Sequence, residues 1–330
     1  MNEIKLPISP AENWKRVVRR DHPKWMPSYF DTCMFIPRVV PDNIARAMVY
    51  EALPQTEEEK TGGLDMFGVE WEYVPTVGGS MEKPGVPHLF EDVNEWKEKL
   101  TFPDVDSWDW EGCAQRNKDH IDRNKFVQTW MFTGFFERLI SFMGFEESAL
   151  ALIDEDQQDA ILELFDKLAD LYNEILTRLK KYFDVDFVFF HDDWGSQASS
   201  FFSLNTCRQM LVPALKKVVD HCHEIGMIFE LHCCGRSEGL VPAMIEAGVD
   251  IWSPQPMNDR FALRRQYGDK MVFGYECTFK TTEEGKALVD QIMEEIKDDP
   301  TGKPFYLWDP SFNVEVHDYL MEKTLELYSK

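Results

Sequence analysis

Short apolar runs alternate with helical patterns along the chain from about residue 125 onward. Residues 187–190 (FVFF) are typical of a buried strand, and apolar residues at three- and four-residue spacing between 156 and 183 predict an amphipathic helix. The predicted strands are 126–132, 187–190, 227–231, 249–252, 271–273 and 304–308, and a predicted helix follows each of them. Strands that alternate with helices in this way predict a parallel sheet with helices outside it.

A closed barrel and an open doubly wound sheet both fit this alternation. The length of 330 residues, a number of strand–helix units near eight and the absence of a GxGxxG turn after any strand favour the barrel. We therefore predict an α/β fold of the (β/α)8 TIM-barrel class, in one domain over residues 1–330. Residues 1–120 are rich in Pro and Gly turns and predict an irregular N-terminal elaboration of helices and covering loops, with a strand near 25–29.

The charge balance restricts the classes of partner. The chain has 35 basic and 59 acidic residues, a net charge of −24, which repels nucleic-acid phosphates and anionic membrane surfaces. In the simplest interpretation this charge serves solubility, and the alternative is that part of it docks a basic partner.

The sequence also indicates a compartment. The N-terminus lacks the basic and apolar regions of a secretory signal, and no apolar stretch of about 18 residues is present. We expect a cytoplasmic protein whose seven cysteines are thiols available for metal binding or catalysis.

Polar and metal-binding residues follow five successive predicted strands. Because the strand–helix loops of a barrel converge at the carboxyl ends of its strands, these residues predict one shared pocket. They are His191, Asp192, Asp193, Trp194 and Gln197 after the second strand, His232, Cys233, Cys234 and Gly235 after the third, Gln255 after the fourth, Tyr275, Glu276 and Cys277 after the fifth, and Trp308 and Asp309 after the sixth.

His232 and Cys234 are candidate metal ligands. In an H-x-C spacing at a strand end the two side chains point the same way, and zinc binds imidazole nitrogen and thiolate sulfur in tetrahedral sites. Cys277 is the other cysteine at a strand end, so it is the candidate third ligand. The alternative is a pair of buried thiols beside a hydrogen-bonded histidine.

His191, Asp192 and Asp193 are candidate catalytic residues. An aspartate here could act as a general base, hold a substrate hydroxyl or ammonium group, or orient a ligand imidazole; the alternative is a solvated turn or a helix cap. The candidate substrate-binding residues are Asp65, Trp194, Gln197, Gln255, Tyr275 and Trp308. Trp194 could instead belong to the core. Asp65 lies either in a lid over the barrel mouth or in a covering hairpin.

Several segments together resemble the uroporphyrinogen decarboxylase superfamily. They are 14–23 (WKRVVRRDHP), 65–71 (DMFGVEW), 191–197 (HDDWGSQ), 231–235 (LHCCG) and 248–250 (GVD). The resemblance covers almost the whole chain and implies the same (β/α) barrel. The superfamily contains porphyrinogen decarboxylases and corrinoid-linked methyltransferases. The chain is similar to the methyltransferases in its H-x-C-G motif at His232, Cys234 and Gly235, which in them binds zinc.

Two departures from the family patterns narrow the expected reaction. The decarboxylases bind substrate carboxylates with an Arg-rich motif, but the matching segment 27–33 (PSYFDTC) has no arginine. The methyltransferases that activate thiols place another cysteine after the last barrel strand, where this chain has 307–310 (LWDP). The third ligand therefore stays open among Cys277, Asp309 and Gln255. Of these, Gln255 aligns with a glutamate ligand of a distantly related methionine synthase. A site without zinc is a further alternative.

The resemblance implies a methyltransferase that moves a methyl group between a small methylated compound, such as an ether, amine or thiol, and a corrinoid cofactor on a partner protein. The missing last cysteine is compatible with an enzyme that demethylates the donor. The implied cofactors are zinc and the corrinoid that the partner supplies. Two alternatives remain, a decarboxylase-like lyase acting on a carboxylated ring and a non-catalytic corrinoid- or tetrapyrrole-binding protein.

Overall fold

The computed structural model describes residues 6–76, 78–308, 311 and 313–329. The helices are Pro10–Arg19 (α1), Pro41–Ala45 (α2), Trp96–Lys99 (α3), Trp110–Asn117 (α4), Phe135–Met143 (α5), Phe145–Ala151 (α6), Gln158–Phe183 (α7), Leu204–Thr206 (α8), Val212–Glu224 (α9), Val241–Ala247 (α10), Arg260–Tyr267 (α11), Thr282–Ile296 (α12) and Val314–Tyr328 (α13). The strands are Thr32–Met34 (β1), Gly62–Leu64 (β2), Glu70–Val74 (β3), Gly79–Glu82 (β4), Phe126–Met131 (β5), Phe187–His191 (β6), Ile228–Cys233 (β7), Ile251–Pro254 (β8), Val272–Glu276 (β9) and Phe305–Trp308 (β10).

The described residues form two compact units. Unit one comprises the described parts of Met1–Cys33, Asp122–Val127 and Asp250–Lys330, and unit two those of Met34–Ile121 and Gln128–Val249. The expectation of one domain over residues 1–330 stays a prediction.

Unit two is built around parallel strands. Strands β5, β6 and β7 pair in parallel, with Met131 opposite Phe190 and His191 opposite His232. The long helix α7 buries one face, which includes Leu164, Leu168 and Ile175, because its apolar residues recur at helical spacing. A separate antiparallel sheet of β2, β3 and β4 forms in the N-terminal part of this unit.

Unit one repeats the strand–helix alternation. Strands β8, β9 and β10 pair in parallel, with Phe273 opposite Phe305. Its helices begin at side-chain caps: the side chains of Ser9, Asp259 and Thr281 accept hydrogen bonds from the first turns of α1, α11 and α12.

The predicted fold class is confirmed, because parallel strands alternate with helices in a TIM-barrel-like α/β fold. Four strands, β6 to β9, run further than predicted at their carboxyl ends, so that His191, His232 and Glu276 are strand residues. Other candidates, among them Asp193 and Cys234, lie in the loops that follow the strands.

The strand predicted near residues 25–29 is wrong. Ser28 makes only an isolated parallel bridge to Leu307, and Tyr29–Asp31 forms a single 3-10 turn. The cause is a local capping box, in which the Ser28 hydroxyl accepts from Phe30 N and the Asp31 carboxylate accepts from Ser28 N. The strand begins after that turn, as β1.

Candidate functional site

The candidate site lies in unit two, at the carboxyl ends of β6 and β7. His191 and His232 are register partners on these two strands, and their rings are stacked with centroids 5.2 Å apart. Cys234 follows β7, and its Sγ lies 3.7 Å from Nε2 of His232. The structure thus brings together His191, His232 and Cys234, which the sequence placed on two different strand ends.

Glycines allow the two strand-end loops to touch through their backbones. Gly235 has a φ of +81°, and a Cβ added there would lie 2.2 Å from the carbonyl oxygen of Gly195. Arg236 N also donates a 2.7 Å hydrogen bond to Ser196 O. The last position of the H-x-C-G motif is therefore glycine because a side chain would separate the loop that carries Asp193 from the loop that carries Cys234.

Glu137, in the first turn of α5, is a site residue that the sequence analysis missed. Its Oε2 lies 2.7 Å from Nδ1 of His191, and its Oε1 accepts a 3.2 Å hydrogen bond from Arg46. Burial alone would raise the pKa of Glu137, but the positive charges of Arg46 and His191 outweigh it and lower that pKa to about 2. Glu137 is therefore a buried carboxylate that orients the His191 ring.

The signal for Glu137 was available in the sequence. The end of β5, the first regular strand, leads into Thr133, Gly134 and Glu137, just as polar residues follow the five later strands. Arg46 carried no such signal, because it follows the short helix α2 in the irregular N-terminal region. Its guanidinium lies 4.5 Å from the centre of the Trp71 ring on β3, so the antiparallel sheet contributes to holding Glu137 in place.

His191 also faces Asp193. The distance from His191 Nε2 to Asp193 Oδ1 is 3.7 Å, and the same oxygen accepts a 2.8 Å hydrogen bond from Cys234 N. Burial by itself lowers the pKa of His191, but the carboxylates of Glu137 and then Asp193 raise it overall. The Asp193 side chain is 31% exposed, so it is the candidate aspartate that a substrate can reach.

Asp192 points away from Asp193 and caps a helix. Its carboxylate accepts hydrogen bonds from Phe135 N, Phe136 N and Glu137 N, at 2.9–3.2 Å, at the start of α5. Trp194 Nε1 donates a fourth at 2.9 Å. Burial, and then the nearby Glu137 charge, raise the pKa of Asp192, whereas these donors lower it. The geometry favours the capping alternative for Asp192.

The turn that precedes α5 is tightly packed against this cap. A Cβ on Gly134 would lie 2.4 Å from Cβ of Asp192, and Gly134 N donates to His191 O at 2.8 Å. Thr133 has a φ of +62°, which is strained for a β-branched residue. Its hydroxyl accepts from Arg46 at 3.2 Å, so the strained turn also fixes Arg46.

Asp65 belongs to the covering hairpin rather than to an open lid. Asp65 is buried, and its carboxylate accepts hydrogen bonds from Trp71 Nε1 at 3.0 Å and Arg138 Nη1 at 2.7 Å. Arg138 also pairs with Asp42. Among the other substrate-binding candidates of unit two, Trp194 is fully buried against Phe202 and Gln197 is exposed.

The remaining candidates belong to unit one. Cys277 is buried, and its N–H donates to Trp308 O at 2.7 Å. Tyr275 lies under the Arg260 guanidinium, 4.0 Å from the ring centre. The backbone carbonyl oxygen of Gln255 accepts two hydrogen bonds from Asn258. Asp309 lies outside the described residues. The roles predicted for these residues stay predictions.

The donors at the ends of β6 and β7 fit a zinc ion. One ligand atom from each of His191, His232 and Cys234 lies within 4.8 Å of the others. The 3.7 Å between the Cys234 sulfur and the His232 nitrogen is close to the roughly 3.6 Å that a tetrahedral zinc imposes between such ligands. Burial, and then the charge of Asp193, raise the pKa of the Cys234 thiol, so a cation is needed to hold it as a thiolate.

Comparisons with known proteins bear on the fold. No protein-family model matches the chain, and no curated protein matches it. Among solved structures, a methyltransferase from Methanosarcina mazei matches 97% of this chain and 99% of its own, with a TM-score of 0.63 and 13% identity.

Two further solved structures match less well. The catalytic domain of the GH26 endo-β-1,4-mannanase of Bacillus sp. JAMB-750 matches 62% of this chain and 66% of its own, with a TM-score of 0.33 and 12% identity. A D-psicose 3-epimerase matches 72% and 85%, with a TM-score of 0.32 and 9% identity. At such identities the similarity to the methyltransferase establishes the fold alone.

Proposed function

We propose that this protein is a metal-dependent methyltransferase that exchanges a methyl group between a small methylated compound and a corrinoid cofactor on a partner protein. The observation that carries the proposal is the pairing of His232 and Cys234, 3.7 Å apart, at the carboxyl end of β7. Barrel enzymes place their chemistry at this end of the strands. The match of 97% of the chain to a solved methyltransferase supports a fold suited to such a site.

The proposed reaction breaks the bond between the methyl carbon and an oxygen, nitrogen or sulfur atom. The electron pair of that bond would stay on the leaving atom, which would take up a proton from solvent, and the corrinoid of the partner, as cobalt(I), would supply the pair for the new bond to carbon. His232 and Cys234 would hold zinc, which would supply a Lewis acid that makes the leaving atom easier to expel. Asp193 would position the substrate, because its carboxylate is partly exposed beside His191.

The proposed zinc site also requires a reducing compartment. A thiol that binds zinc must stay reduced, so the protein works in a reducing compartment such as the cytoplasm. The described chain has no helix long and apolar enough to cross a membrane. The partner would be a corrinoid protein whose cofactor reaches the end of β7.

The experiment is a methyl-transfer assay with the zinc-loaded full-length protein and free cob(I)alamin. A panel of methyl ethers, methylamines, thioethers and methyl thiols is offered, and formation of methylcobalamin is followed by absorbance. We expect transfer from at least one donor, and its loss in Cys234→Ser and in His232→Ala. Cys33→Ser is the control for the loss of a thiol, because Cys33 lies in β1 and its sulfur accepts a hydrogen bond from Asp122 N.

Transfer by the wild type and by Cys33→Ser, without transfer by Cys234→Ser, supports the proposal. Absence of transfer from every donor class, with the zinc-loaded protein folded, overturns it. Equal rates in the wild type and in Cys234→Ser also overturn it, because the reaction would then not depend on the end of β7.

A further inference from the structure

His191 lies beside the two predicted ligands although the sequence analysis treated it as a catalytic residue. It is the register partner of His232 on the neighbouring strand, so both rings project from the same face of the sheet. Their centroids are 5.2 Å apart with 29° between the ring planes. Its ligand atom lies within 4.8 Å of those of His232 and Cys234, so small rotations of these side chains would let one metal ion contact all three.

The His191 ring is held by a specific partner. Nδ1 lies 2.7 Å from Glu137 Oε2, and Glu137 is itself 8% exposed and paired with Arg46. Because a carboxylate accepts hydrogen bonds, this contact fixes the proton on Nδ1 and directs the Nε2 lone pair to the other side of the ring. A histidine that binds a metal commonly has such a carboxylate behind it, which sets the ring orientation and makes the nitrogen more basic.

We propose that His191, positioned by Glu137, is the third protein ligand of the metal site, so that the site has two imidazoles and one thiolate. This inference rests on the metal site of the proposed function. It departs from the sequence expectation, in which the third ligand was open among Cys277, Asp309 and Gln255, and in which Cys277 would have given the site two thiolates. In the group of described residues whose ligand atoms lie within 4.8 Å of one another, the two partners of the Cys234 sulfur are the imidazole nitrogens of His191 and His232.

The ligand set determines the charge at the metal. Zinc carries a charge of +2, so two neutral imidazoles and one thiolate leave a net charge of +1, whereas one imidazole and two thiolates leave zero. A positively charged centre polarises a neutral oxygen or nitrogen more strongly. The set of His191, His232 and Cys234 therefore suits a site that acts on the leaving oxygen or nitrogen of a methyl donor, such as an ether or an amine.

The test measures zinc binding and the atoms around zinc, not activity alone. Full-length wild type, His191→Ala, Glu137→Gln and the control His88→Ala are titrated with zinc against a chelator, after circular dichroism shows that each is folded. His88 is exposed and lies in the loop after β4, outside the site. X-ray absorption at the zinc edge then counts the sulfur ligands.

We expect one sulfur ligand in the wild type. We expect Glu137→Gln to weaken zinc binding about 10- to 100-fold, as outer partners of ligand histidines do, and His191→Ala to weaken it further, with His88→Ala unchanged. Two sulfur ligands in the wild type, or zinc binding by His191→Ala within twofold of the wild type, would overturn the inference.

Methyl transfer is assayed in parallel with the same variants. Transfer by the wild type together with two sulfur ligands at zinc would leave the proposed function standing and remove His191 from the ligand set. Wild type that binds no zinc overturns the inference whatever the transfer assay shows, and that assay then decides the function separately.

Discussion

Gly235 shows how closely a single residue can be tied to the site. Its positive φ and its contact with Gly195 both exclude a side chain. We predict that Gly235→Ala lowers the free energy of unfolding by about 2–4 kcal/mol, since it combines backbone strain with a backbone clash. Urea denaturation of the purified variant measures this loss.

Gly226 provides the matched control for that substitution. It has a similar φ of +75°, but a Cβ there meets nothing within 4 Å. Gly226→Ala therefore reports the cost of the backbone conformation alone, which we expect to be about 1 kcal/mol. Equal losses in the two variants would show that the contact between Gly195 and Gly235 contributes nothing.

Arg138 is a buried cation with two buried anions. Its guanidinium is 0% exposed and pairs with Asp65 at 2.7 Å and with Asp42, each 1% exposed. Arg138→Met leaves both carboxylates buried without a counter-ion, and we predict a loss of about 3–5 kcal/mol in the free energy of unfolding. The exposed pair of Arg116 and Asp109 is the control, and Arg116→Met is expected to cost less than about 1 kcal/mol.

Chemical denaturation of both variants decides whether the ion pairs of Arg138 matter. A loss under about 1 kcal/mol in Arg138→Met would contradict the prediction. Restored stability on adding Asp42→Asn and Asp65→Asn to Arg138→Met would confirm that the unpaired charges cause the loss.

Asp31 gives unit one a pH-dependent stability. Burial raises the pKa of Asp31 to about 6 from its ordinary value of 3.8, against the hydrogen bonds from Ser28 N and Trp25 Nε1. The folded protein thus binds this proton more tightly than the unfolded chain does. Its contribution is complete below about pH 4, is lost as the pH rises through about 6, and amounts to roughly 3 kcal/mol.

The variant Asp31→Asn does not titrate, so the difference between wild type and variant isolates this group. We expect the stability of wild type relative to Asp31→Asn to fall between pH 4 and pH 7, measured by urea denaturation at each pH. Asp298→Asn, at an exposed position of the same unit, is the control for the loss of a carboxylate. A difference that is flat with pH, or that grows as the pH rises, would refute the assignment to Asp31.

Residue roles were harder to predict from the sequence than residue positions. The H-x-C-G motif was found because its spacing is local. The pairing of Arg138 with Asp65 and Asp42 joins residues 73 and 96 positions apart, and no local pattern reports such contacts. The same holds for Arg46 and Glu137, which are 91 positions apart.

At the scale of elements, the adjacent residues Asp192 and Asp193 have different surroundings. Asp192 accepts N–H donors on both oxygens at the start of α5, so an amide at this position places an NH2 group against another donor. We predict that Asp192→Asn lowers the free energy of unfolding by about 2–3 kcal/mol, and that thermal and urea denaturation both detect it.

Asp193→Asn is the matched control for Asp192→Asn. An asparagine keeps an oxygen that can accept from Cys234 N, so we expect little change in stability. If Asp193→Asn destabilises the protein as much as Asp192→Asn does, the capping of α5 is not the main role of Asp192.

Hydrophobic periodicity predicted the helices in which apolar residues recur at regular spacing. The pattern predicts helices over 135–143 and 260–267, and α5 and α11 have these bounds. The strand predicted near 25–29 was wrong because the capping box of Ser28 and Asp31 forms a turn there, despite the apolar character of the segment. Helices α1 and α4 lie in residues 1–120, where the sequence predicted helices and covering loops without giving their bounds.

At the scale of the whole molecule, the net charge of −24 should make stability depend on salt. Repulsion among excess carboxylates opposes the compact state and is screened as the Debye length falls from about 30 Å at 0.01 M to about 8 Å at 0.15 M. We predict that the midpoint of thermal unfolding rises over this range of NaCl and then levels off. A midpoint that is constant or falls would contradict the prediction, and a steady rise to 1 M would indicate salting-out instead.

The fold class could be predicted because it depends on a pattern repeated along most of the chain. The placement of His191 beside Cys234 could not be predicted, because it is set by the pairing of β6 with β7 and by Glu137 on α5. The spacing of residues within one segment does not indicate which side chains of two different strands lie side by side.

The contact between Gly195 and Gly235 sets a rule for loop exchange. Because no side chain separates them, the segments 191–197 and 232–236 are in backbone contact, so a chimera has to replace both segments together. A chimera that imports only one segment from another barrel brings a foreign backbone against the retained glycine. We therefore expect a chimera to stay folded when both segments are exchanged together, and to be destabilised when either one is grafted alone.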